Sequence, residues 1–188
     1  MSRPEAIAIG CSQGGFHALR TLLGGLDHRL TQPVLICCHT SGDVSVLCEL
    51  LASHSTLPVI EAREREVAAG GTVYMAPAGY HLLVENDRRF ALSVDQHVRY
   101  SRPSIDVMFG SVSDVYRAAL IGVVLTGANQ DGAEGLAKIR QSGGLAVVQD
   151  PESAEAAVMP RAALLAAGAD YCVPLQQIAP LLNRLCLA

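Results

Sequence analysis

Apolar residues in this chain occur in short continuous runs that alternate with stretches of helical spacing. The runs at residues 6–9, 34–38 and 59–60 have the length and composition of buried strands. Between them, apolar residues recur at helical spacing over residues 16–23 and 44–52. Two consecutive β-α-β units predict parallel strands, because helical crossovers cover both faces of such a sheet and make its strands apolar throughout.

The pattern changes in the middle of the chain. Three short apolar runs, at residues 72–75, 81–84 and 90–93, are separated by the turn-forming segments 77–79 and 85–87. Proline, glycine, asparagine and aspartate at this density are typical of the connections between antiparallel strands. The three runs are therefore predicted to form a short antiparallel insertion.

The alternation of helices and strands resumes after residue 100. Ser104 is predicted to cap a helix that runs to about residue 119. The later predicted elements are a strand at 120–125, a helix at 133–142, a strand at 145–148, a helix with Pro160 in its first turn that ends at 167, and an amphipathic helix at 178–187. The sequence thus predicts a doubly wound α/β fold with a mostly parallel, Rossmann-like sheet and a short antiparallel β insertion.

Composition narrows the class of protein. Half of the 188 residues are hydrophobic and 17% are charged, which suits one compact domain covering residues 1–188. The net charge of −4 predicts no attraction to nucleic acid or to an anionic membrane. The apolar runs are strand-sized and no signal-peptide core is present, so we expect a cytoplasmic protein without membrane insertion. The six cysteines form no CxxC pair, which predicts free thiols rather than disulfides or zinc ligands.

Three of the predicted strands end in glycine-rich turns that carry reactive side chains. Ser12 follows the first strand, His39 the second, and Asp131 lies after the strand at 120–125. Because sites in parallel sheets form beyond the carboxyl ends of the strands, these groups are expected at one edge. Acyl transfer needs an imidazole to take the serine proton and a carboxylate to orient the imidazole. The sequence predicts a serine hydrolase with nucleophile, base and orienting acid in that order, without metal or cofactor.

Simpler structural roles exist for each residue. Ser12 is also a typical helix cap, His39 a typical buried histidine, and Asp131 a typical turn residue. The segment Gly10-x-Ser12-x-Gly14 also fits the nucleophile elbow of α/β hydrolases, but there the serine follows a later strand and the acid precedes the histidine. A thiol hydrolase that pairs Cys11 with His39 is a further alternative, although Cys11 precedes the apex of the turn.

A nucleotide-binding module is the main alternative from another class. The spacing Gly10-x-Ser12-x-x-Gly15 after a first strand resembles a degraded dinucleotide fingerprint. That fingerprint expects an acidic residue at the end of the second strand, where this chain has His39 and Thr40. A phosphate-binding P-loop is excluded, because no Lys-Ser or Lys-Thr follows the glycines.

Longer motifs carry a family resemblance over nearly the whole chain. In chain order they read IGCSQGG, VYMAPAGYHLLVE, RPSID, GVVLTGANQDGAEGL and GGLAVVQDPESAEAAVMPRAAL. In these segments the chain resembles the catalytic domain of the chemotaxis protein-glutamate methylesterases, the CheB family. The resemblance implies hydrolysis of γ-glutamyl methyl esters on the cytoplasmic helices of methyl-accepting chemoreceptors, with release of methanol. Deamidation of glutamine at the same sites is a second candidate activity that the resemblance implies.

The resemblance also assigns roles to further residues. Ser12 would form the acyl-enzyme, His39 would shuttle the proton and Asp131 would orient the histidine. The family's oxyanion site falls at Gln13 and Ala128, whose backbone N–H groups are the candidate donors. His81 and Arg102 lie in family motifs and are predicted to be substrate-positioning groups at the rim.

The chain departs from the family pattern in four places. Gln13 stands where threonine or alanine is usual, and Ala128 replaces the methionine of two-domain members. Residues 40–43 are polar where the family has an apolar residue and often proline, and Ala157 stands near a position that is more often glycine. No receiver domain precedes residue 6, so a separate response-regulator receiver is a candidate partner. An adaptor or a homologue with a shifted substrate is the alternative within the family.

Overall fold

The computed structural model describes residues 3–187. Its strands are β1 (Ala6–Cys11), β2 (Val34–Cys38), β3 (Val59–Glu61), β4 (Val73–Met75), β5 (His81–Val84), β6 (Phe90–Ser93), β7 (Leu120–Val124), β8 (Leu145–Gln149) and β9 (Tyr171–Val173). Its α-helices are α1 (Gly15–Gly25), α2 (Val44–Ala52), α3 (Ile105–Tyr116), α4 (Ala133–Gln141), α5 (Val158–Ala167) and α6 (Leu175–Leu187). Single turns of 3₁₀-helix follow α3 and β8.

Seven strands form one sheet in the order β3-β4-β2-β1-β7-β8-β9, and every neighbouring pair in it is parallel. The other two strands, β5 and β6, form a separate antiparallel pair. The predicted doubly wound α/β fold with a short antiparallel insertion is confirmed.

The prediction for residues 72–75 was wrong. Strand β4 does not belong to the antiparallel insertion; it lies between β2 and β3 and pairs with both in parallel. All three of its residues are buried, as expected of a strand in the middle of a parallel sheet. The turn-rich segment after β4 leads out of the sheet to the β5–β6 hairpin, so the turn composition was correct but not the pairing. Strand β9 was not predicted, because a run of only three apolar residues, none of them buried, is too short to indicate a strand.

Two layers of helices cover the sheet. Alternate residues of β1 face opposite sides, so Ile7 and Ile9 pack in the core cluster with α1, α2 and α6, and Ala6 and Ala8 in the cluster with α3, α4 and α5. The small residues of β1 let α3 approach closely. A Cβ added at Gly10 would lie 2.4 Å from Cγ2 of Ile105, the first residue of α3. Glycine at this position therefore lets the N-terminus of α3 reach the carboxyl end of β1.

The order in which strands are added to the sheet changes side at β1: β2, β3 and β4 lie on one side of β1, and β7, β8 and β9 on the other. Strand β1 pairs with β2 on one side and with β7 on the other, and α1 and α3 lie on opposite faces. A crevice outside the carboxyl ends of the strands is expected at such a topological switch point. Within the described residues no helix is both long and apolar enough to cross a membrane.

Candidate active site

The ends of three neighbouring strands bring Ser12, His39 and Asp131 together. Cys11 and Cys38 are register partners in β1 and β2, so the residues that follow them leave the sheet side by side. The His39 N–H donates to the carbonyl of Cys11 at 3.1 Å, and the Ser12 N–H to the carbonyl of Thr126 at 3.0 Å. Backbone pairing thus fixes the serine and histidine loops relative to each other and to the loop after β7.

Asp131 is fully buried and accepts four hydrogen bonds. His39 Nε2 donates to Oδ2 at 2.8 Å, and the Ile105 N–H donates to the same oxygen at 2.7 Å. Oδ1 accepts from Ser104 Oγ at 3.0 Å and from the Asp106 N–H at 2.9 Å. Two of the four donors are the first N–H groups of α3, where the helix dipole favours a negative charge.

These contacts decide the charge of Asp131. Burial raises the pKa of its carboxyl, but hydrogen bonds from His39 and from the N–H groups of Asp106 and Ile105 outweigh burial and lower the pKa below its usual value. The carboxylate is therefore ionised at neutral pH. The stability that it contributes is present above the unfolded pKa of about 4 and is lost as the pH falls below that value.

A second carboxyl, that of Asp106, lies behind Asp131. Its Oδ1 accepts from the N–H groups of Gly132 and Gly135 at 3.0 and 2.7 Å, at the N-terminus of α4. Its Oδ2 lies 3.4 Å from Nε of Arg99. Burial raises the pKa of Asp106 to about 6, helped by the neighbouring charge of Asp131 and opposed by the Gly135 N–H and Arg99. Asp131 therefore caps α3, the helix that contains Asp106, and Asp106 caps α4, the helix that follows Asp131. This exchange of caps was not predicted from the sequence.

His39 has its two ring nitrogens in different surroundings, and its side chain is 14% exposed. Nε2 faces the Asp131 carboxylate and therefore carries a hydrogen. Nδ1 lies 3.2 Å from Nδ2 of Asn129. The nitrogen left to act as a base is thus Nδ1, whereas in the serine proteases the acid holds Nδ1 and Nε2 is the base.

Ser12 and His39 line one cleft of about 350 Å³, together with Phe16, Leu47 and Glu155. Ser12 is not the cap of α1, because Gly14 occupies the N-cap position and no side chain caps this helix. Within residues 3–187 the Ser12 hydroxyl forms no hydrogen bond. The side chain is therefore available to a ligand in the cleft, and the capping role is excluded.

The loops after β1 and β7 each carry a backbone donor without an acceptor in the described part of the chain. Among the described residues, the N–H groups of Gln13 and Ala128 have no acceptor. Thr126 Oγ1 donates to the Gln13 carbonyl at 2.9 Å and accepts from the Ala156 N–H at 2.9 Å. This hydroxyl ties the loop after β1 to the loop after β7, so the two free donors lie on one connected framework.

The two predicted rim residues differ in their placement. His81 is 1% exposed; Nε2 donates to the Gln96 carbonyl at 2.9 Å, and Nδ1 accepts from the Ser104 N–H at 3.1 Å. The structure therefore places it not at the rim but beneath the start of α3. Arg102 does border the site, since it lines a cavity of about 210 Å³ with His39. Its Nη1 donates to two backbone carbonyls of the loop after β6.

The geometry argues against the two alternative chemistries. Cys11 is fully buried, and its hydrogen bond with Cys38 together with burial raises the pKa of its thiol, so it is a poor nucleophile. A Cβ added at Gly14 would lie 2.8 Å from Oε2 of Glu155, which places a carboxylate at the N-terminus of α1. A nucleotide phosphate bound there would meet this negative charge. In the described part of the chain, no three His, Cys, Asp or Glu residues are grouped to hold a metal ion.

Comparisons with known proteins show which family the chain resembles. The model of the family described as CheB methylesterase matches residues 7–182. A relative from Leptospira interrogans is 48% identical over 96% of this chain and 94% of its own length. The protein-glutamate methylesterase FrzG of Myxococcus xanthus is 38% identical over 92% of this chain and 52% of its own length. The crystal structure of the Thermotoga maritima CheB methylesterase catalytic domain matches with a TM-score of 0.93 and 30% identity, covering 98% of this chain and all of that one.

Proposed function

The chain belongs to the CheB methylesterase family, and from this premise we propose that it is a protein-glutamate methylesterase that uses Ser12 as its nucleophile. The observation that carries the proposal is the placement of His39. One of its ring nitrogens contacts a buried carboxylate, and its side chain lines the same cleft as the free hydroxyl of Ser12. This is the arrangement that activates a serine for acyl transfer.

The first half of the reaction forms an acyl-enzyme. Oγ of Ser12 attacks the carbonyl carbon of a glutamyl methyl ester, and its proton passes to Nδ1 of His39. The developing imidazolium is stabilised by the ionised Asp131 carboxylate 2.8 Å from Nε2. The tetrahedral intermediate then collapses, and the methoxy group leaves as methanol with the proton from Nδ1.

The second half returns the enzyme to its starting state. A water molecule gives its proton to Nδ1 of His39 and attacks the acyl carbon. Ser12 leaves with that proton, and the released glutamyl carboxylic acid loses its own proton to solvent to become the carboxylate. In both halves the charge on the former carbonyl oxygen is held by backbone donors, for which the free N–H groups of Gln13 and Ala128 are the candidates.

The protein substrate is proposed from the same family membership. We propose the cytoplasmic helices of methyl-accepting chemoreceptors as the protein substrate. The proposed contacts for the helix that carries the ester are the exposed Phe16, in the cleft with Ser12, and Arg102, in the second cavity beside His39. A relative from Symbiobacterium thermophilum is named protein-glutamate methylesterase/protein-glutamine glutaminase, and is 36% identical over 95% of this chain. Glutamine hydrolysis would follow the same steps, with ammonia leaving in place of methanol.

The direct test is incubation of the full chain with peptides of receptor helices that carry glutamyl methyl esters. Mass spectrometry should show the loss of the methyl group, and peptides with glutamine in place of the ester test the second activity. The Ser12→Ala variant should lose activity, and a fluorophosphonate should label Ser12 in the unchanged protein.

Ser53→Ala is the matched control, because Ser53 is exposed at the far end of α2 and should leave both activity and labelling unchanged. Full activity of Ser12→Ala, or labelling of another residue, would refute Ser12 as the nucleophile. Unchanged ester after incubation with a folded protein would refute the methylesterase proposal itself.

A further inference from the structure

Asn129 lies against the one nitrogen of His39 that the proposed reaction needs as a base. Its Nδ2 is 3.2 Å from Nδ1 of His39. Its Oδ1 accepts from the Asp131 N–H at 3.0 Å, which closes a local turn of the loop after β7. The side chain thus bridges the backbone of the acid and the ring of the base.

The orientation of the Asn129 amide follows from its neighbours. A backbone N–H is always a donor, so the atom facing the Asp131 N–H must be the amide oxygen. The atom facing the imidazole is then the NH₂ group, which is always a donor. Nδ1 of His39 must therefore be an acceptor with a free lone pair, and the neutral ring carries its hydrogen on Nε2.

We propose that Asn129 is a positioning residue for His39: it holds Nδ1 as an acceptor in the resting enzyme and yields this lone pair to the Ser12 hydroxyl during the reaction. The proposal rests on the proposed function. Nδ1 has one lone pair, and the amide occupies it at rest, which agrees with the absence of a hydrogen bond on Ser12 within residues 3–187. Once Nδ1 takes the serine proton, two donors would face each other, so the amide must move away.

This role differs from the role of Asp131 on the other nitrogen. The carboxylate favours both the neutral Nε2–H ring and the imidazolium, because each donates to it from Nε2. The amide of Asn129 favours only the ring whose Nδ1 is unprotonated. Together the two groups select the one form of His39 that is ready to accept a proton from Ser12.

The sharpest test is Asn129→Asp, which keeps the shape and the oxygen that accepts from the Asp131 N–H. It replaces the donor at Nδ1 with an acceptor, so His39 would be doubly protonated between two carboxylates. We expect kcat/KM for the methyl ester at pH 7 to fall by about 10²-fold or more, within the range that a positioned general base contributes. Activity should recover as the pH rises and Nδ1 loses its proton.

Gln130→Glu is the matched control. It adds the same charge one residue further on, at an exposed position, and should change kcat/KM by less than about threefold because exposed charges are screened. The other titratable or charged groups facing His39 are unchanged in both variants: Glu155 and His17 across the cleft, Arg102, His97 and Tyr100 across the second cavity, and Asp106 behind Asp131. A difference between the variants therefore reports the contact at Nδ1.

Nitrogen NMR of histidine-labelled protein gives a readout that needs no turnover. The unchanged protein should show neutral His39 with hydrogen on Nε2 and a lone pair on Nδ1, and Asn129→Asp should show the doubly protonated ring at pH 7. Hydrogen on Nδ1 of the neutral ring in the unchanged protein would overturn the proposal. An Asn129→Asp variant that is folded and has the pH–rate profile of Gln130→Glu would also overturn it. Failure of the unchanged protein to hydrolyse the ester would instead refute the proposed function.

Discussion

Replacing Asp131 by asparagine removes one charge while the shape of the side chain is kept. In the native site each carboxylate oxygen accepts two hydrogen bonds, from His39 and Ile105 on Oδ2 and from Ser104 and Asp106 on Oδ1. An amide has one oxygen and one NH₂ group. Whichever carboxylate position the NH₂ group takes, it faces a backbone N–H, so two donors meet there without an acceptor. The choice of side decides what happens to His39.

The structure favours one of the two orientations. With the NH₂ group at the Oδ2 position, this group would face the Ile105 N–H, which is also a donor. It would also force the imidazole hydrogen onto Nδ1, where that hydrogen would face the NH₂ group of Asn129. With the NH₂ group at the Oδ1 position, the only donor that it faces is the Asp106 N–H, because the Ser104 hydroxyl can rotate and accept a hydrogen bond. We therefore expect the second orientation, in which His39 keeps its hydrogen on Nε2.

The magnitude follows from the lost charge. At an effective dielectric constant of about 20, opposite unit charges about 4 Å apart attract by about 4 kcal/mol, which corresponds to about 10³ in rate. Asp131→Asn should thus lower kcat by about 10³-fold. One buried N–H left without an acceptor costs about 1–3 kcal/mol of stability, or about 2–12 °C in Tm for a chain of this length.

Esterase kinetics, a melting curve and histidine nitrogen NMR test this together. Ser104→Ala is the matched control, since it removes one hydrogen bond to the carboxylate but neither the charge nor the contact with His39; its kcat should fall less than about tenfold. A folded Asp131→Asn enzyme with near-normal kcat would show that Asp131 does not stabilise the imidazolium. Hydrogen on Nδ1 of His39 in that variant would show that the NH₂ group lies at the Oδ2 position instead.

Two further predictions concern other parts of the site. Ala128→Met should cost less than tenfold in kcat, whereas Ala128→Pro, which deletes the N–H, should cost about 10²–10³ if circular dichroism shows it folded; near-normal turnover would place the oxyanion donor elsewhere. Asp106 has its pKa raised to about 6, above its unfolded value of about 4, so ionisation opposes folding and stability should rise as the pH falls from about 7 to about 4. Asp106→Asn should flatten Tm over this window and gain about 1–3 kcal/mol at pH 7.5; an unchanged pH dependence would contradict the assignment.

The order of strands and helices was predictable because buried parallel strands are apolar throughout and their crossover helices are amphipathic. The same reasoning located Ser12, His39 and Asp131, since residues that follow parallel strands share one edge of the sheet. The pairing of β4 was not predictable from its sequence. A three-residue apolar run fits a parallel or an antiparallel neighbour equally well, and the turn residues beside it do not say which strand it joins.

The surroundings of the three residues were less accessible to sequence reasoning. His81 was predicted at the rim from its place in a motif, yet it is buried, with one ring nitrogen bonded to the Gln96 carbonyl in the loop after β6 and the other to the Ser104 N–H at the start of α3. Asn129 carried one usable signal, since an asparagine side chain in a loop often accepts from the backbone N–H two residues on and closes a local turn. Its contact with His39 joins residues 90 positions apart, and only the folded sheet brings them together.

The two aspartates of this site show how position in the fold, rather than residue type, sets charge. Asp131 and Asp106 both accept hydrogen bonds from a helix N-terminus, α3 for the first and α4 for the second. Asp131 has in addition a donor from His39 and one from Ser104, whereas Oδ2 of Asp106 accepts no hydrogen bond within the described residues. Their pKa values are therefore shifted in opposite directions. The carboxylate with more donors, which is the one that contacts His39, therefore keeps its charge to a lower pH than Asp106 does.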